Sequence, residues 1–148
     1  MMETGKPENT DMGITLNHAA FLLYVRMNSG VNFHRTIMFG RQSLFLNADD
    51  APALFSRFGL RIDRAEAAAM IREGQGYSEP FLRRLGADVT DSLDASPYEG
   101  ANIIHDLNEP VSASLHESYS AVIDGGTLEH VFNYPIAIQN CMNLVSLV

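Results

Sequence analysis

Apolar residues recur at helical spacing through the first half of the chain and collapse into short unbroken runs in the second. Across residues 14–28, Ala19, Leu22, Leu23 and Met27 fall on one side of a helix, which Thr15 or Asn17 can cap and Gly30 can end. The apolar run 36–39 leads straight into Gly40, the pattern of a buried strand entering a tight turn. Three helices are predicted next. Asp49 or Asp50 before Pro52 opens one that Gly59 closes. Asp63 and Glu66 have capping-box spacing for one through Arg72, and Ser78–Glu79–Pro80 starts one that Gly86 ends.

In the second half, residues 89–93, 102–104 and 119–123 read as short strands, each followed closely by an acid: Asp94, Asp106 and Asp124. Strands alternating with helices predict a parallel α/β sheet. The connection 95–101 is short for a helical crossover and predicts a turn around Pro97. Asn133 caps a last predicted helix with Pro135 in its first turn. Its apolar residues Ile136, Ile138, Met142, Val145 and Leu147 carry the pattern to the end. No glycine stop follows, so a chain cut inside a helix is expected, or a helix end buried in a partner.

Composition narrows the class. The chain has 148 residues, 46% of them apolar, enough for one folded domain over residues 14–148 behind a frayed polar tail at 1–13. Neither that tail nor any apolar run has the form of a signal, transit or membrane-spanning segment. A net charge of −8, with the ten basic residues scattered, argues against a nucleic-acid partner. The single cysteine, Cys141, points to a reducing compartment, so a cytoplasmic location is expected.

In open parallel sheets, ligands bind beyond the carboxyl ends of the strands, where the strand order reverses. Those ends hold Gly40, Asp94, Asp106 and Asp124–Gly125–Gly126. A carboxylate there can accept both hydroxyl hydrogens of a ribose, and three acids suit a sulfonium and an ammonium better than a pyrophosphate. His105–Asp106 with Glu129–His130 could be drawn as a metal site, but no HExxH-type spacing supports it and no metal is expected. His130 could act as a general base, since an imidazole titrates near neutrality, or could serve structurally at a helix start.

The stretch 119–132, YSAVIDGGTLEHVF, closely resembles the fourth-strand region of class I S-adenosylmethionine-dependent methyltransferases. Residues 91–108, DSLDASPYEGANIIHDLN, resemble the second and third strands of a bacterial methyltransferase-like subgroup, and 37–44, IMFGRQSL, its first strand and glycine turn. The resemblance implies a partial Rossmann-like sheet of strand order 3-2-1-4, with helices on both faces and the later strands lacking. It implies S-adenosylmethionine as cofactor and a small-molecule or sugar acceptor as substrate. By position, Gly40 and Arg41 would underlie the methionine part, Asp94 would hold the ribose, and Asp106 and Leu107 would meet the adenine. Asp124 and Gly125 would lie near the sulfonium, with Glu129 and His130 as catalytic candidates at the acceptor mouth.

The chain departs from the family in two ways. The usual acid-x-Gly-x-Gly-x-Gly turn is reduced to Gly40 with Arg41 and Gln42 beside it. Asp94 follows Gly40 by 54 positions, against about 20 in a plain βαβ unit, so the helices between are an insertion or a lid. Two rivals to a methyltransferase follow: a degenerate or truncated cofactor-binding module without turnover, and a nucleotide-using enzyme of the same architecture. An uncovered fourth-strand edge would further favour self-association.

Overall fold

The computed structural model describes residues 13–147. The reading of residues 1–12 as a tail lies outside them, whereas Gly13 begins the first strand. The elements run β1 (Gly13–Thr15), α1 (Leu16–Asn28), β2 (Arg35–Phe39), β3 (Ser43–Phe45), α2 (Ala51–Arg57), α3 (Arg64–Gly74) and α4 (Glu79–Arg84). Then come β4 (Val89–Asp94), β5 (Ile103–Ile104), β6 (Ala121–Asp124) and α5 (Tyr134–Leu144). Single 3₁₀ turns occupy Ala113–Leu115 and Leu128–His130.

Four strands form one parallel sheet in the order β5-β4-β2-β6. Numbering the four predicted strands in chain order, this is the expected 3-2-1-4. The link from β4 to β5 contains no helix; Gly100 N–H closes a turn onto the Pro97 carbonyl at 2.9 Å. The sequence pattern did not reveal the second sheet, in which β1 and β3 pair in parallel over three residues each.

Alternation along β2 divides the interior in two. Met38 points to a core built with Leu23 of α1, Phe55 of α2, Met70 of α3 and Phe81 of α4. Ile37 and Phe39 point to the other, with Leu93, Leu107, Val111 and Ala137. Phe55 and Phe81 meet edge to face at 6.0 Å. The inserted helices α2–α4 are therefore the body of one layer, not a detached lid. Met27, expected on the buried side of α1, is half exposed.

Local chemistry explains where the helices begin. Thr15 and His18 close a capping box on α1, and Asp63 and Glu66 close one on α3. At α2 neither candidate aspartate caps through its side chain. Asn47 Oδ1 instead accepts the N–H groups of Asp49 and Asp50 at 3.0 and 2.8 Å. Asn133 holds the cap position of α5, but its carboxamide donates to the Asn108 carbonyl at 3.2 Å instead of capping the helix.

The last helix ends sooner than its apolar pattern predicts. It stops at Leu144, and Val145 turns into extended backbone that bridges in parallel to Tyr119. Tyr119 N–H donates to the Leu144 carbonyl at 3.1 Å, and Ser146 N–H to the Tyr119 carbonyl at 2.8 Å. The apolar residues after Leu144 thus belong to a short extension beside the sheet, where an apolar run serves equally well. Among the described residues no helix is long and apolar enough to cross a membrane.

Candidate functional site

The carboxyl ends of β4, β5 and β6 open onto two neighbouring hollows. The smaller, about 170 Å³, is lined by Asp94 and Ala95 after β4, by 105–108 after β5, and by Thr127, His130 and Val131 after β6. It brings together four residues singled out from the sequence: Asp94, Asp106, Leu107 and His130. The larger, about 420 Å³, lies between the start of α1 and the end of β6 and includes Asp124, Gly125 and Glu129. The two adjoin at the 3₁₀ turn Leu128–His130. There His130 Nε2 lies 3.4 Å from Glu129 Oε1, with both side chains about three-quarters exposed.

The loop after β5 is held firmly. Asn140 of α5 is fully buried; its Oδ1 accepts from Val111 N–H at 2.9 Å, and its Nδ2 donates to the carbonyls of Leu107 and Glu109. Asp106 accepts the backbone and side-chain N–H groups of Asn108 at 2.9 and 2.7 Å, which lowers its carboxyl pKa from the ordinary value. It is therefore a carboxylate wherever the protein is folded near neutral pH. Asp94 accepts only a 3.2 Å bond from Ser96 N–H among the described residues, which leaves most of its hydrogen-bonding capacity turned outward. Leu107 is buried in the core shared with Ile37, Phe39 and Leu93 and offers the small hollow an apolar floor.

Asp124 has a structural duty as well. Its Oδ1 accepts the N–H groups of Thr127 and Leu128 at 2.9 and 3.2 Å, capping the turn that carries Glu129 and His130. Among the described residues no group of three His, Cys, Asp or Glu side chains converges as a metal site would require.

The turn after β2 behaves differently. Gly40 adopts φ +67°, which only glycine takes without strain, and its N–H donates to the Leu93 carbonyl at 2.8 Å. Arg41 swings away from both hollows. Its Nε donates to Glu79 Oε1 at 2.6 Å, another nitrogen donates to the Glu99 carbonyl at 3.1 Å, and the guanidinium lies 3.7 Å over the Tyr77 ring. Gly40 and Arg41 therefore stand apart from the other candidate residues, lining neither cavity.

Gln42 is the residue that sequence reasoning passed over. It is completely buried, and its Nε2 donates to the carbonyls of Phe39 and Gly40 at 2.8 and 3.2 Å. Thr127 Oγ1 adds a third bond, to Phe39 O at 2.8 Å. Gln42 Oε1 finds no hydrogen-bond partner among the described residues and abuts Gly125, where a Cβ would stand 2.1 Å from it. The buried carboxamide occupies the space that glycines in this turn would leave open. The only sequence signal was a glutamine two places beyond a strand-end glycine, where a ligand-facing turn would favour a small residue.

Comparison with family models, with curated proteins and with solved structures gave no match.

Proposed function

We propose that this chain binds S-adenosylmethionine across the two hollows and serves methyl transfer to a small-molecule acceptor. The observation that carries the reading is the convergence of Asp94, Asp106 and Leu107 on one hollow at the carboxyl end of a parallel sheet of order 3-2-1-4. Asp94, with its outward acceptor capacity, suits a ribose diol. Asp106 accepts an amino hydrogen while Leu107 packs beneath a ring. Beyond the Glu129–His130 contact, Asp124 sets negative charge near where the sulfonium would lie, and Glu129 stands at the mouth where an acceptor would enter.

The bound cofactor supplies an electrophilic methyl group; the protein's share is positioning and proton handling. His130, oriented by Glu129, can take a proton from an acceptor group at the join of the hollows. The fit is uneven. The nucleoside end meets open acceptors, while the turn beneath the methionyl end has its carbonyls already bonded by Gln42 and Thr127. That sealed turn favours a second reading, a binding module without turnover.

Calorimetric titration with S-adenosylhomocysteine tests the proposal. Binding is expected, and Asp94→Ala should weaken it at least about tenfold, the effect of losing a charge-assisted bidentate contact. Affinity unchanged in Asp94→Ala would remove Asp94 from the site, and no binding by the folded chain would remove the cofactor. Binding without label transfer from methyl-labelled cofactor to a panel of amines, alcohols and sugars would select the binding module.

A further inference from the structure

We infer that the larger hollow takes the apolar body of a small organic amine, with the ammonium held at its rim by Asp124 and Glu129. As the acceptor site of a methyltransferase it rests on the proposed function; as an amine site it stands on its own geometry. Its walls are mostly hydrocarbon, from Ile14, Phe21 and Leu22 on one side and Val122 and Ile123 on the other. Phe21 is 63% exposed, an aromatic side chain on the outer face of α1 beside the exposed His18 and Tyr24. Gly125 and Gly126 leave the floor without side chains, so a flat ring meets backbone there.

The charges sit where they select without dehydration. Both Asp124 and Glu129 are exposed at the mouth, so an ammonium beside them keeps part of its water while the hydrocarbon below loses its own. No lysine or arginine is among the described residues that line the hollow. Among the described lining residues His18 is the one side chain that can carry positive charge, and at the rim a carboxylate or phosphate would meet the like charges of Asp124 and Glu129. The chain's net charge of −8 extends the same preference outward. A sugar would satisfy the rim and could reach His18, but most of its hydroxyls would face the hydrocarbon of Ile14, Phe21, Leu22, Val122 and Ile123, which sets an aromatic or aliphatic amine ahead of a sugar.

Three molecules sharing one apolar body and differing in charge test this: tryptamine, the neutral indole-3-ethanol and the anionic indole-3-propionate. Each is titrated into ¹⁵N-labelled chain without cofactor. Tryptamine should shift the amides of 122–126 and 18–22 and bind about tenfold more tightly than the propionate, with the alcohol between. The gap should narrow in 0.5 M salt and in the Asp124→Asn, Glu129→Gln double variant, which keeps the turn-capping oxygen at position 124. Phe21→Ala should weaken all three alike. Equal affinities, a reversed order, or no shift with any of the three would overturn the site. Amine binding alongside failed S-adenosylhomocysteine binding would remove the cofactor reading and leave this one. The converse result would do the opposite.

Discussion

The turn after β2 and the turns after β4, β5 and β6 stand side by side at one end of the same sheet, yet they are built on opposite principles. The first is closed. Its two carbonyls are bonded by a buried glutamine and a threonine, and its arginine is drawn off toward Glu79. The others are open, with acids whose remaining acceptor capacity faces solvent and two hollows between them. The contrast is one of side-chain volume. Gln42 fills the space against Gly125, whereas Asp94 and Asp106 bond within their own loops and leave the space above them clear. A strand-end turn in a parallel sheet is thus available to a ligand only when no side chain of the protein has already taken the place.

The largest expected effect comes from forcing the closed turn apart. Gly125→Ala brings a Cβ to 2.1 Å from Gln42 Oε1 and 2.8 Å from its Cδ. It should lower unfolding stability by about 1–3 kcal/mol, as overpacking in a tight core does. Adding Gln42→Ala should recover part of that loss, so a double-mutant cycle by denaturant unfolding reads the contact directly. Additive losses would mean that the two residues do not share the space.

Removing the cap is next in size. Asp124→Ala strips two N–H groups of their acceptor and should cost about 1 kcal/mol, while Asp124→Asn should cost less because it keeps an acceptor oxygen. Equal losses in thermal unfolding would show that charge, not capping, is what Asp124 supplies. At the open side, Asp94→Ala should change stability by less than about 0.5 kcal/mol, since it loses one long surface bond, even though ligand affinity falls. A large stability loss there would dissolve the distinction between closed and open turns.

The smallest effect is spectroscopic. The Tyr119 hydroxyl is buried and donates to Asp91 Oδ2 at 2.7 Å; burial first, and the bonded carboxylate second, raise its pKa well above the ordinary phenol value. A group held neutral in the fold contributes stability that is complete below the unfolded phenol pKa, near 10. That contribution is lost as pH rises toward the folded value. Alkaline titration followed by phenolate absorbance should show one tyrosine ionising above the ordinary phenol range, and Tyr119→Phe should abolish that late step.

Much of the frame was readable along the chain, and for local reasons. The capping box at Asp63–Glu66 needs only residues three apart, and the Pro97 turn needs only four. The run Ile37–Met38–Phe39 marks a buried strand whatever surrounds it, because both faces of a central strand are covered. The acids after β4, β5 and β6 were visible for the same reason. Placing Asp94 and Asp106 in one hollow took the parallel register of β4 and β5, which pairs Leu93 with Ile103 and Asp94 with Ile104.

What the sequence by itself determined is the order of the five helices and the four strands of the main sheet, the capping box of α3, and which residue types stand at the strand ends. All of these depend on neighbours within a few positions. Only the tertiary structure decided that Gln42 turns inward against Gly125, 83 positions away, and that the start of α1 walls a hollow with the end of β6. It also decided that the apolar tail leaves α5 at Leu144 to lie beside Tyr119. Each of these outcomes was settled by competition for one volume or one unpaired backbone edge. A linear pattern of polar and apolar residues does not say who wins such a contest, because the competitors are strangers in sequence and meet only once the sheet has formed.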